Sequence, residues 1–139
     1  MARGDEYPEQ ETVIERLRRG DSDDQVIIWI PSHDKSDPPV KLKDQDMRAA
    51  SALELFGYLY VGATAFGPLR GIWRDDTGRL IRDTPVMIQS LAKRGDVENA
   101  DKLRQLLDFA KQLGAETNQG SVAIAINDAL HYITDFKRH

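Results

Sequence analysis

The chain has 139 residues, of which 40% are hydrophobic and 30% charged. That is enough for one domain with a true core and too little for two ordinary ones. It contains no cysteine, which excludes a disulfide framework, a thiolate nucleophile and a cysteine-ligated zinc or iron–sulfur centre.

The formal net charge of −4 lies entirely in residues 1–25, which hold eight acids and four bases; residues 26–139 carry 15 of each. A phosphate-backbone binder draws much of its affinity from a basic excess, so nucleic acid is demoted as a partner. The longest uncharged run, 55–69, is 15 residues long and holds Gly57, Gly62, Gly67 and Pro68. A helix needs roughly 20 apolar residues to span a bilayer, so no transmembrane helix is expected. The N-terminus is acidic and lacks the apolar stretch of a secretory signal. A soluble, cytoplasmic domain is the expectation.

Residues 1–24 read as an acidic N-terminal arm, and 25–139 as the single domain. Val13, Ile14 and Leu17 give a short apolar stripe at helical spacing, and Gly20 is placed to end it. Val26 to Ile30 is a continuous β-branched and aromatic run closed by Pro31, the pattern of a central strand buried on both faces. Ser32 to Lys43 carries two prolines and five charges and reads as a surface loop.

Asp46 is placed to cap a helix with Met47, Ala50, Leu53, Phe56 and Leu59/Tyr60 on one face. Gly57 to Pro68 weakens and then breaks it. Arg70–Arg74 and Leu80–Leu91 flank the Asp-rich turn Asp75 to Gly78, a hairpin signal. Pro85 inside the second run marks a bulge or an edge.

Asp96 then precedes a helix with Val97, Ala100, Leu103, Leu106/Leu107, Ala110 and Leu113 as its stripe and Gly114 as its stop. Val122, Ile124 and Ile126 alternate with small residues, as in a strand. After a turn at Asn127-Asp128, Leu130 to Ile133 reads as a short return strand, with a helix over 127–136 as the rival. The order β-α-β-β-α-β is that of a ferredoxin-like, split βαβ α+β fold, with two helices on one face of an antiparallel sheet. Its other face then needs a cover, either a second copy of the chain or the N-terminal arm. A homodimer is the expected state.

Three polar clusters stand out. In Ser32-His33-Asp34, at the end of the first strand, His33 is a candidate general acid/base because histidine titrates near neutrality. Adjacent side chains do not naturally face each other, so Asp34 need not orient it, and an ordinary polar turn is the plainer reading. In Arg70-Gly71-Ile72-Trp73-Arg74, strand alternation places Arg70 and Arg74 on one face, a candidate anion clamp, and Trp73 on the other, able to stack on a planar ligand. The plainer reading is a core tryptophan with solvated arginines paired to Asp75, Asp76 or Asp83. In Glu116-Thr117-Asn118-Gln119-Gly120, Glu116 is a candidate second carboxylate, and Asn118 and Gln119 are candidate ligand contacts. Ordinary turn chemistry accounts for them equally. His33, His131 and His139 fall in no zinc-binding spacing. No phosphate loop, dinucleotide fingerprint or nucleophile elbow is present, and no cofactor is expected.

Pro31 to Asp34, Arg70 to Gly78 and Glu116 to Gly120 together resemble small bacterial proteins of unknown function. The Gly71-x-Trp73-x-x-x-x-Gly78 hairpin also resembles the DUF3574 family, over the second half of the chain. That resemblance implies an α+β fold and assigns no activity or functional residue.

Two functional readings follow. The first is a self-associating domain that binds a small anionic ligand or a protein partner. The second is a small dimeric α/β-barrel-type enzyme with His33 as acid/base, Arg70 or Arg74 as clamp and Glu116 as second carboxylate. A nucleic-acid accessory role would require a basic face.

Overall fold

A computed structural model describes residues 12–15, 17 and 24–137. Residues 12–15 and 17 are helical, with Val13, Ile14 and Leu17 exposed. The rest of the expected arm up to residue 23, including its Gly20 stop, lies outside the described residues, and Asp24 already belongs to the first strand.

The first strand, β1 (Asp24–Ile30), is central. Helix α1 (Gln45–Leu59) crosses to β2 (Thr64–Phe66). A separate hairpin, β3 (Gly71–Arg74) and β4 (Leu80–Asp83), follows, and then β5 (Val86–Ala92) returns to the sheet. After the single turn α2 (Arg94–Val97), helix α3 (Ala100–Glu116) crosses to β6 (Val122–Ile126), which turns into β7 (Ala129–Ile133). The main sheet has the order β2-β5-β1-β6-β7, with every neighbour antiparallel. Four of its strands, β2-β5-β1-β6, with α1 and α3 as crossovers, make the split βαβ arrangement. The rival helix over 127–136 is overturned, because 129–133 pair with β6 as a strand.

The hairpin is real, but it is not the middle of the sheet. Its two strands pair only with each other. The two sheet strands between the helices are instead Thr64–Phe66, an edge strand within the segment expected to break the helix, and Val86–Ala92, which lies between it and β1. The run Leu80–Leu91 therefore serves two sheets. Pro85 cannot donate to a ladder, and the chain changes sheets there. Gly67 fits the same corner: at φ 122° it adopts a conformation that L side chains rarely reach. A Cβ there would also sit 2.7 Å from Leu69 N and 2.9 Å from Pro85 O.

The core lies between the sheet and the two helices. Val26, Ile28 and Ile30 of β1, with Val86, Ile88, Val122 and Ile124, meet Ala49, Ala52, Phe56 and Leu59 of α1 and Leu106, Ala110 and Leu113 of α3. The buried stripe of α1 thus differs from the expected one by a rotation about the axis. Met47 is 67% exposed and Ala50 is exposed, whereas the alanines at 49 and 52 are buried. Small side chains there let the helix sit close to the sheet. Burial, with a smaller contribution from the Asp96 charge, pushes the Tyr60 hydroxyl up to about 12.

Helix starts and stops also shift. Asp44, not Asp46, precedes α1. Asp96 belongs to α2, and Asn99 caps α3 by accepting a hydrogen bond from Lys102 N at 3.0 Å. Gly114 does not end α3, which runs on to Glu116. Its missing side chain makes room for the Phe136 ring, which a Cβ would overlap. Among the described residues, no helix is long and apolar enough to cross a membrane.

Candidate functional site

Alternation along β1 sends Val26, Ile28 and Ile30 to the helices and Ile27 and Trp29 to the opposite face. The register adds Met87 and Phe66 beside Trp29, and Ala125 and Leu130 beside Ile27. At one end of this face, a cleft of about 420 Å³ opens between the sheet, the loop after β1, the β3–β4 hairpin and the turn after α3. Trp29, His33, Trp73, Arg74, Asp83 and Gln119 line it. Both tryptophans of the chain border this one space.

The loop after β1 folds back on itself. Leu42 N donates to Ser32 O at 2.8 Å and Asp34 N to Val40 O at 2.9 Å. The Asp34 carboxylate accepts from Val40 N at 2.8 Å, Ser36 N at 2.9 Å and Ser36 Oγ at 3.0 Å. The Val40 amide, then the Ser36 amide, hold its carboxyl below the ordinary carboxylate range. Asp34 therefore shapes the loop and does not orient His33.

The hairpin tip uses the same device. Asp75 accepts from Thr77 Oγ1 at 2.6 Å, Thr77 N at 2.9 Å and Arg79 N at 2.9 Å. The Thr77 hydroxyl leads the effects that lower its pKa. Arg79 pairs with Asp75 at 3.2 Å and also with Asp37, which ties the hairpin to the loop. Gln119 closes the third side. Its amide nitrogen donates to His33 O at 2.8 Å, and Lys35 N donates to Asn118 O at 3.0 Å.

His33 finds its carboxylate in Asp83 rather than in its neighbour. Ser32, 2% exposed, lies between them. Ser32 N donates to Asp83 Oδ1 at 2.9 Å, and Ser32 Oγ also donates to Asp83 Oδ1. Ser32 Oγ is 2.7 Å from His33 Nδ1 and accepts from Thr84 N at 2.9 Å. His33 Nδ1 and Asp83 Oδ1 are 3.9 Å apart.

The expected site residues therefore divide. His33, Trp73, Arg74 and Gln119 share the cleft. Asn118 does not line it; its carbonyl accepts from Lys35 N in the adjoining loop. Arg70 is exposed and outside it. Glu116 lies elsewhere, in a groove between α1 and α3 with Arg48 and Tyr58. There it accepts from Gln112 Nε2 at 2.7 Å. Its position in the last turn of α3, one turn beyond Gln112, fixes it on the helix surface, so it does not converge with His33. Sequence reasoning misses the roles of Ser32 and Asp83 beside His33 and the place of Trp29 in the cleft. Strand alternation alone was enough to place Trp29 opposite the core; nothing local announces that Asp83 meets Ser32 across 51 residues.

Because carboxylates with depressed pKa values shape two walls, acid should loosen the cleft before the core. A lowered folded pKa stabilises the structure above the unfolded value and loses that effect as pH falls through the folded one. Both groups start from an ordinary value of 3.8. The Val40, Thr77 and Arg79 amides should keep full exchange protection well above pH 3.8 and lose it progressively below, while those of Ile28 and Ile88 stay protected. Hydrogen exchange read by NMR across that range checks this. Simultaneous loss at loop and core would contradict it.

Among known proteins, no family model matches this chain, and no curated protein matches it. Two solved structures resemble it in shape. One is a phage SAM lyase in complex with S-methyl-5'-thioadenosine, with a TM-score of 0.59 and 16% identity over 86% of this chain and 95% of that one. The other is a phage SAM lyase in the apo state, with a TM-score of 0.58, 16% identity and the same coverage. At this identity the likeness establishes a shared α+β fold.

Proposed function

We propose that the cleft binds a small molecule with a planar heteroaromatic ring and no net negative charge, of the adenosyl thioether or sulfonium class. The observation that carries this reading is the convergence of Trp29 and Trp73 on one cleft. Indole faces stack on planar rings and attract cationic centres. The lining carboxylates Asp34, Asp75, Asp76 and Asp83 outnumber the cations Lys35, Arg74 and Arg79, which favours a zwitterionic or cationic ligand over the purely anionic one expected from Arg70 and Arg74. Arg74 is placed to hold a carboxylate of such a ligand. The similarly folded phage SAM lyase holds S-methyl-5'-thioadenosine, which supplies the probe. Titrating the full chain with S-methyl-5'-thioadenosine and with S-adenosylmethionine should quench tryptophan emission saturably. An unchanged emission together with no calorimetric heat would overturn the proposal.

Self-association is the second proposal. The sheet face opposite the helices carries Phe66, Leu91, Leu130 and Tyr132, all between 40% and 55% exposed, on the first, second and last strands of one five-stranded sheet. A second copy of the chain is the proposed cover, and adding it would remove this apolar area from water. Sedimentation equilibrium at micromolar concentration should give a mass at least twice 15.7 kDa. A strict monomer would refute it.

A further inference from the structure

Ser32 Oγ has one proton and two lone pairs. An ionised Asp83 carboxylate accepts and cannot donate. It already takes the Ser32 N–H on Oδ1, and the hydroxyl proton points to the same oxygen. Thr84 N–H fills one lone pair of Oγ at 2.9 Å. What faces His33 Nδ1, 2.7 Å away, is therefore the remaining lone pair, so the proton of that contact must belong to the ring.

We infer that Asp83, acting through the Ser32 hydroxyl, fixes the proton of His33 on Nδ1, so that in the neutral ring Nε2 is the free nitrogen and the general base of the cleft. Ser32 and Asp83 are positioning residues in this arrangement. Nε2 has no hydrogen-bond partner among the described residues, and the ring borders the cleft with its side chain 29% exposed. The step it performs is a proton transfer. Nε2 takes a proton from an O–H or N–H of the bound ligand, and the bonding pair stays on that ligand atom. The resulting imidazolium keeps its Nδ1–H on Ser32 Oγ, and its charge faces Asp83 Oδ1 at 3.9 Å. This deepens the small-molecule reading of the cleft and rests on it.

A simpler role for Ser32 is to staple the loop to the hairpin. Ser32→Ala separates the two roles. The backbone N–H of residue 32 still donates to Asp83, so part of the staple survives, while the acceptor for His33 Nδ1 is removed. The test is ¹⁵N NMR of histidine-labelled full chain without ligand, with the His33 signal assigned by its loss in His33→Gln. The ratio of the Nδ1–H to the Nε2–H tautomer in the wild-type chain should exceed that in Ser32→Ala by about fivefold or more, the ~1 kcal/mol of one ordinary net hydrogen bond. In Ser32→Ala, His33 should revert to the Nε2–H form that free histidine prefers. A wild-type His33 with its proton on Nε2 would overturn the inference without recourse to any variant, as would a Ser32→Ala chain that keeps the Nδ1–H excess. The spectra need no ligand, so a failed titration and a wrong tautomer are separate results.

Discussion

Replacing Phe56 by alanine is expected to destabilise the fold by about 3–5 kcal/mol, the usual cost of emptying a buried phenylalanine site. Phe56 is fully buried in the stripe of α1. Its ring meets that of Tyr60 edge to face, with centroids 5.5 Å apart, so truncation also removes an aromatic pair. The neighbours cannot close the gap easily, because Ala49 and Ala52 on the same stripe have no atoms to spare and the β1 residues opposite are held by strands on both sides. Urea unfolding should show a lower midpoint with an unchanged slope. Met47→Ala is the control. Its side chain is 67% exposed, and its cost should stay within about 0.5 kcal/mol. Equal costs at the two positions would place α1 in the rotation that the sequence pattern first suggested.

Trp73→Ala is expected to weaken binding of S-methyl-5'-thioadenosine by roughly 5- to 150-fold. That range is the ~1–3 kcal/mol of one aromatic stack on a base, converted at tenfold per 1.4 kcal/mol. Trp73 is 38% exposed on a hairpin that pairs only with itself, so the same change should cost less than about 1 kcal/mol of stability. Trp29 is less clean as a target, because it sits in the central strand between β5 and β6. Calorimetry is the right readout, since removing one of two fluorophores alters the optical signal. An unchanged affinity would remove Trp73 from the site and with it the stacking argument for the ligand class.

Much of this architecture was legible in one dimension. The apolar run Val26–Ile30, the stripes around Phe56 and Leu106, and the alternation from Val122 to Ile126 each repeat with the period of the element they form. Their chain order suggested a split βαβ topology, because few connections let two helices cover one face of an antiparallel sheet, although the strands between the helices are Thr64–Phe66 and Val86–Ala92 and not the hairpin. The Asp-rich turn at 75–78 likewise declared its hairpin. Such signals survive in sequence because they reflect contacts between residues at most a few positions apart.

What the tertiary structure alone decided is where segments far apart in the chain come together. Pro85 shows that a strand is interrupted, but not that the chain leaves one sheet for another there. Thr64–Phe66 is too short to have a period, and it becomes a strand only because β5 offers it a partner. His33 stands beside Asp34 in sequence, yet three donors from the loop occupy Asp34, and the carboxylate linked to His33 is Asp83, reached through a buried serine. Glu116, two residues from Asn118, belongs to a different cleft, because a helix surface and the turn that follows it point in different directions. Periodicity records which face a side chain occupies; which distant side chain meets it there depends on sheet order and on where the inserted hairpin comes to rest.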